Sequence, residues 1–209
     1  MKYQKLFLLS ASCFLMALLC SILWGYRRDQ DLTERLASRL LRFHVLANSN
    51  SQEDQAVKNQ VKQLVLEQLR NCPGDSKEDI CLYVENNRET LENYVDQYIS
   101  NLGYDYHADI TVAESWFPTK AYGDLILPCG TYDAVQVTLG QGRGRNWWCV
   151  LYPRLCFIDS THAVLPDESR EQLKNILSEE DYLAVMDTPA KIHIRFKFLE
   201  LLTQNNSPD

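Results

Sequence analysis

LLRFHVLANSNSQEDQAVKNQVKQLVLEQL (residues 40–69) passes from one backbone periodicity to another within a single stretch. Leu40 to Ala47 reads as a first strand, with Phe43 and Val45 on one face and Arg42 and His44 on the other, because successive side chains of a strand point to opposite sides. Asn48-Ser49-Asn50-Ser51 then breaks the pattern with residues that bond to nearby backbone. Ser51 followed three positions later by Asp54 approximates a capping box, an Asp standing where Glu or Gln is usual. Beyond it Val57, Val61, Leu64, Val65 and Leu69 recur at helical spacing and define a buried stripe, with Lys58, Lys62 and Arg70 on the opposite side.

Working outward, a second helix is predicted from Ser76, where Asp75 and Glu78 have cap spacing. Ile80, Val84, Leu91, Tyr94, Val95, Tyr98 and Leu102 form its inner face, and Gly103 ends it. Tyr104 to Val112 alternates strictly, with Asp105, His107, Asp109 and Thr111 on the outer side, as in a half-buried strand. Leu125–Leu127, Thr131–Leu139 and Trp147–Ile158 are further β-like segments. A short helix follows Pro166-Asp167 through Leu177, and Ser178 caps another that reaches Met186. Ile192, Ile194, Phe196 and Phe198 then alternate with cations as a last strand. The expected class is therefore α+β, with two helices after a first strand packed on a mixed, largely antiparallel sheet. With no repeats, low-complexity tracts or long linkers, residues 29–209 read as one domain behind an N-terminal segment, 1–28.

That segment holds an apolar run from Leu6 to Trp24, preceded by Lys2 and Lys5 and followed by Arg27 and Arg28. A run of about 19 residues spans a hydrocarbon core of about 30 Å as a helix. Small residues at both −3 and −1 of a cleavage site are missing near its end, since Leu19/Ser21 and Leu23/Gly25 each supply only half the pattern. An uncleaved anchor fits better than a cleaved signal. Arg27, Arg28, Arg35, Arg39 and Arg42 would hold the following side in the cytoplasm by the positive-inside tendency, although folded domains are exported against it. Orientation stays open on sequence alone.

The chain of 209 residues has 45% hydrophobic and 23% charged residues and a net charge of −7. This composition argues against global disorder and gives no electrostatic footprint for nucleic acid. Five of the seven cysteines lie beyond the apolar run. Cys72 precedes a Pro73-Gly74 turn and Cys81 lies early in the next helix, so a bridge across a helical hairpin is feasible. Cys149 and Cys156 flank Pro153, which could let them pair. Either bridge fits an oxidising location, and buried apolar thiols are the alternative.

Nothing in the residues specifies catalysis. Asp105, His107 and Asp109 share a strand face, but a solvated face accounts for them, and no two of the four histidines have H-x-x-x-H spacing. Gly140 to Asn146 (GQGRGRN) lacks the Gly-Lys-Ser/Thr of a phosphate loop and precedes no helix, so it reads as a connection between strands. A Cys149 or Cys156 nucleophile with His162 or His193 is combinatorially possible, with nothing to set its geometry. Trp147 and Trp148 are adjacent on a strand and must face opposite sides, leaving one for a loop or contact surface.

Four ordered blocks carry a family resemblance: Leu41 to Lys58 (LRFHVLANSNSQEDQAVK), Phe117 to Gly123 (FPTKAYG), Pro128 to Tyr132 (PCGTY) and Gly142 to Phe157 (GRGRNWWCVLYPRLCF). They resemble the stage II sporulation protein R family, and depart from it at Cys129, where a small residue is common, and at Asn50, where Asp is common. Cys129 is thus the candidate unpaired thiol. The resemblance implies a protein made in the forespore and exported to the space between the two sporulating compartments. There it would trigger a membrane-embedded aspartic protease that processes the pro-sigma-E factor, with no cofactor or small-molecule substrate of its own. Its partner contact is expected at His44, Asn48, Ser49, Asp54, Arg143, Arg145, Asn146 and Trp147, from polar and aromatic residues concentrated in and beside loops. An extracytoplasmic cell-wall hydrolase or a structural envelope protein is the alternative function.

Overall fold

The computed structural model describes residues 2–157 and 165–186. A single helix, α1 (Lys2–Arg39), carries the apolar run without a break into the folded part and leads directly into strand β1 (Leu41–Leu46). Helices α2 (Gln52–Leu69), α3 (Lys77–Asn86) and α4 (Arg88–Asn101) follow, then strands β2 (Ala108–Phe117), β3 (Lys120–Tyr122), β4 (Leu125–Leu127), β5 (Gly130–Leu139) and β6 (Asn146–Tyr152). A 3-10 turn at Leu155–Phe157 and helices α5 (Asp167–Ile176) and α6 (Glu179–Val185) complete the described elements. The result is a mixed α+β fold.

The main sheet has the order β2-β5-β1-β6, and β3 and β4 form a separate two-stranded ribbon. Strand β1 pairs parallel with β5 and antiparallel with β6, and β2 pairs antiparallel with β5. The alternation seen in sequence sorts these strands between two hydrophobic layers. Phe43, Val45, Ile110, Val135, Val137 and Leu151 pack beneath α2, α3 and α4. On the other face, Ala134, Val150 and Phe117 pack with Leu36 and Leu40 of α1, Leu125 and Leu127 of the ribbon, and Leu173 and Val185 of α5 and α6.

That second layer corrects the expected picture. A strand with water on one face would leave Arg42 and His44 exposed, yet β1 is central and covered on both sides. Arg42 is 0% and His44 5% exposed. The single helix expected from Ser76 to Leu102 is two helices divided at Asn87, whose side-chain amide donates to the Tyr83 carbonyl. Ser76 caps α3 through a reciprocal box with Asp79, in place of the Asp75 and Glu78 spacing. Strand β2 begins at Ala108, because the Asp96 carboxylate accepts from the Ala108 amide and Tyr104–His107 lead into it outside the ladder. The last strand expected over residues 192–198 lies outside the described residues.

Apolar side chains along the first half of α1, among them Phe14, Leu15, Leu19, Ile22 and Trp24, are 54–71% exposed. At about 25 cal/mol per Å² of apolar surface, leaving such a helix in water is costly. From Ser10 onward α1 is long and apolar enough to cross a membrane. Its last turns instead join the fold. The Thr33 hydroxyl donates to the Cys129 carbonyl at 3.4 Å, and Lys77 Nζ bridges the Ala37 carbonyl (2.8 Å) and Asp133 Oδ2 (2.7 Å). Residues 33 and 37 therefore sit level with 129 and 133, so α1 runs in the same direction as β5 and, through it, β1.

Candidate functional site

The C-terminal ends of β1 and β5 lie together, and the loops leaving them form one tip opposite the apolar end of α1. The β1–α2 connection and the β5–β6 connection are laced by backbone bonds: Arg143 N donates to Asn48 O at 3.2 Å and Gly144 N to Ala47 O at 2.8 Å. Asn48 Oδ1 receives the Gln141 amide at 3.0 Å, and Asn50 Oδ1 the Arg145 amide at 2.9 Å. Such an approach demands small residues. Gly140 adopts φ +55°, and a Cβ on Gly144 would collide with the Ser49 carbonyl.

Asp54 is the centre of this clasp. Ser51 caps α2 by accepting from the Asp54 amide, which places the Asp54 side chain in the first turn, facing back over the loop. Its carboxylate, 6% exposed, accepts from Asn48 Nδ2 at 3.0 Å and Ser49 Oγ at 2.5 Å on one oxygen, and from the Tyr106 hydroxyl at 3.0 Å on the other. Burial alone would raise its pKa. Hydrogen bonds from Ser49, Asn48, Tyr106 and Ser51 outweigh that and hold it below 3.8. Burial and this carboxylate push the Tyr106 hydroxyl well above its ordinary value, so it stays protonated.

The sequence expectation for this region divides once positions are known. Asn48, Ser49 and Asp54 come together as an internal fastening, with Asp54 buried and the other two half-buried. Arg143 and Arg145 stand exposed on the tip. Asn146 opens β6 opposite Leu46. Trp147 lies on the α2 side, edge-on to Phe43 with ring centres 6.0 Å apart, and Lys62 Nζ stands 4.5 Å from its ring centre. Trp148 faces the other layer, stacked 4.7 Å from His44.

His44 is corrected as a contact residue: it is enclosed between Trp148 and Phe117, and its Nε2 meets Gln136 Oε1 at 2.9 Å. Burial lowers its pKa to about 4, so it is neutral at physiological pH. Beside it Arg42 donates to the Cys149 carbonyl at 3.1 Å and lies over the Phe117 and Tyr132 rings at 4.4 and 4.9 Å. One Arg42 Nη and His44 Nδ1 have no hydrogen-bond partner among the described residues.

Lys58 and Lys62 are the members of the tip that sequence reading left on an outer helix face. Lys58 is only 6% exposed and donates to Gln55 Oε1 at 2.7 Å and to the Arg145 carbonyl at 3.1 Å, both neutral acceptors. Its pKa is lowered by burial and by the like charges of Lys62 and Arg145. The i, i+4 spacing of two lysines was the available signal. Nothing local announced Tyr106.

Cys149 and Cys156 are joined as a disulfide seven residues apart in sequence. Cys72 and Cys81 are free, which corrects the bridge expected between them: the buried Cys72 thiol is turned to the Asp79 carbonyl, and Cys81 packs half-buried on α3. Cys129 is also a free thiol. The disulfide leaves neither Cys149 nor Cys156 a thiol to act as nucleophile, and His162 and His193 lie outside the described residues. His107 Nδ1 meets Asp96 at 2.8 Å and Asp109 pairs with Arg88 at 2.6 Å, each engaged without a metal. No group of three or more metal-ligating side chains occurs among the described residues.

A profile of the family described as stage II sporulation protein R matches residues 37–162. The Stage II sporulation protein R of Bacillus subtilis (strain 168) is 32% identical over 143 residues, covering 66% of this chain and 64% of that protein. The chain thus matches somewhat less than two-thirds of that relative's length. No solved structure matches the chain.

Proposed function

The chain belongs to the stage II sporulation protein R family, and from that premise we propose that it is an exported, non-enzymatic signal of endospore formation. It activates a membrane-embedded aspartic protease that removes the pro-sequence of sigma-E, and the catalytic carboxylates belong to that protease. The observation that carries the reading is the family match over residues 37–162, which takes in both tip loops and both disulfide cysteines.

Two features of the molecule support the placement outside the cytoplasm. The uncovered apolar half of α1 suits a signal or anchor, and a disulfide suits an oxidising compartment. Residues 1–28 act as the membrane segment and the remainder as one extracytoplasmic domain. A ligand activates an enzyme only if it binds the active arrangement more tightly than the inactive one. The clasped tip is suited to that task, because a surface ordered before binding loses little conformational freedom on contact.

The test is co-expression of the full chain with the protease and its sigma precursor, following precursor cleavage by immunoblot. Cleavage should require the chain and should stop when residues 2–26 are deleted and the domain stays in the cytoplasm. Cleavage that proceeds without the chain, or with the cytoplasmic form alone, would reject the proposal.

A further inference from the structure

Four cations meet at one corner of a protein whose net charge is −7: Lys58 and Lys62 from α2, and Arg143 and Arg145 from the loop before β6. None of the four forms an ion pair among the described residues. The carboxylate that could serve them, Asp54, stands one helical turn before Lys58 but is turned to Asn48, Ser49 and Tyr106. Lys58 is nine-tenths buried and bonded only to neutral oxygens, so the corner holds a positive charge that the fold has not neutralised. An uncompensated charge near a low-dielectric interior raises the local potential and attracts an opposite charge more strongly than a solvated one does. The Trp147 ring beneath Lys62 adds an aromatic base of the type found at interface centres.

The corner also has a defined direction. From the level of Ala37 and Asp133 the strands rise about 20 Å to the tip, and α1 descends about 20 Å to Trp24. The cations therefore stand about 40 Å from the end of the apolar run, on the side facing away from it. An anchored chain would present them away from its own membrane.

We propose that this corner receives an acidic polypeptide segment of the partner protein, held in a membrane opposite the chain's own, with Arg143 and Arg145 as the exposed contacts and Lys62 over Trp147 as the floor. The proposal rests on the activator reading and adds the chemistry and direction of the contact. A polypeptide is favoured over an anionic lipid surface because the large exposed apolar side chains of the described surface lie on α1 and at Leu82, Tyr94, Leu102 and Leu183. Of the last four, Leu102 at the end of α4 is at the tip end of the fold, and a single leucine makes no apolar face to insert between headgroups. Carboxylates meeting guanidinium forks also give the directional pairing that a register-specific contact needs.

The test uses the full chain in nanodiscs of neutral phosphatidylcholine, titrated with fluorescein-labelled decaglutamate and followed by anisotropy. The wild type should bind, with affinity falling at least about tenfold in the double variant Arg143→Glu/Arg145→Glu and again on raising salt from about 50 to about 300 mM. Lys174→Glu, on α5 at the other sheet face, should leave binding unchanged. Both arginine side chains are exposed, and only the backbone groups of these residues join the clasp; an unchanged thermal midpoint confirms that the variant is folded. Equal binding by wild type and double variant, or equal loss with Lys174→Glu, overturns the proposal. Capture of phosphatidylglycerol vesicles through the same arginines in preference to the peptide also overturns it. The activator reading is scored separately in sporulating cells. Decaglutamate binding with sigma cleavage independent of the chain would sink that reading alone, and cleavage that needs the chain but tolerates the double variant would sink the docking proposal alone.

Discussion

Replacing Asp54 with Asn probes the clasp with almost no change of shape. The carboxylate accepts from Asn48 and Ser49 on one oxygen and from Tyr106 on the other. An amide keeps one acceptor oxygen and loses the charge that strengthens all three bonds. The Tyr106 hydroxyl can rotate to accept from the new amide, whereas the Asn48 amide is fixed by its second bond to Gln141. Bonds to a charged group are worth about 1.5–3 kcal/mol and neutral ones about 1, so the loss is about 1 kcal/mol for each of the three and about 3 kcal/mol in all. The lowered pKa fixes the sign: the bonds outweigh the desolvation of the charge, so the neutral isostere is the less stable. For a domain of this size about 3 kcal/mol corresponds to about 6–12 °C in Tm. Circular dichroism of the full chain in detergent micelles, at pH 7, measures it. The difference between wild type and Asp54→Asn should be complete above the unfolded pKa of about 3.8 and shrink as pH falls through the lower folded value. A variant within about 0.5 kcal/mol of wild type at pH 7 would refute the clasp as an energetic unit.

Other expectations test neighbouring features. Because burial lowers His44 from 6.5 to about 4, the unfolded state binds its proton first, so stability is full above pH 6.5 and declines down to about pH 4. Denaturant melts should show a decline of about 3 kcal/mol across that window, largely removed by His44→Gln, and an unchanged slope in the variant would contradict the buried neutral imidazole. Cys149→Ser/Cys156→Ser opens a loop closed over seven residues and should cost about 2.5 kcal/mol by chain entropy, read as a lower denaturant midpoint. Alkylation of the unfolded, unreduced chain should leave those two cysteines unmodified and label Cys72 and Cys81. Gly144→Ala forces the β5–β6 loop off the Ser49 carbonyl and should cost about 2 kcal/mol, with faster amide exchange at Arg143 and Arg145.

The strand, turn and helix over residues 40–69 were legible because each carries its own signal: alternation, a polar break, a cap and a 3.6-residue stripe. The Ser51 hydroxyl caps α2 as expected, bonded to the Asp54 amide. The expected box does not close, because the Ser51 amide donates to Ser49 Oγ and the Asp54 carboxylate faces Asn48, Ser49 and Tyr106. What that cap does next was not legible, since Asp54 is completed by Tyr106, 52 residues away. Arg42 and His44 were misplaced for a related reason. Alternation tells which residues share a face but not what covers that face, and here the end of α1 with α5 and α6 supplies a second layer. The break at Asn87 interrupts an apolar pattern that continues on both sides of it, from Val84 to Leu91, so periodicity could not reveal it. The proximity of residues 48–50 and 141–145 follows from the parallel pairing of β1 with β5, a long-range fact that no local window contains. The basic corner emerges only from that pairing.

The most direct measurement places the photo-crosslinking residue benzoylphenylalanine at position 145 of the full chain in sporulating cells, with position 114 on the opposite sheet edge as control. The account predicts an adduct between position 145 and an acid-rich extracytoplasmic segment of the sigma-processing protease, and none from position 114. Adducts of equal yield from both positions, or a chain that supports sigma cleavage with no protease adduct at the tip, would contradict it.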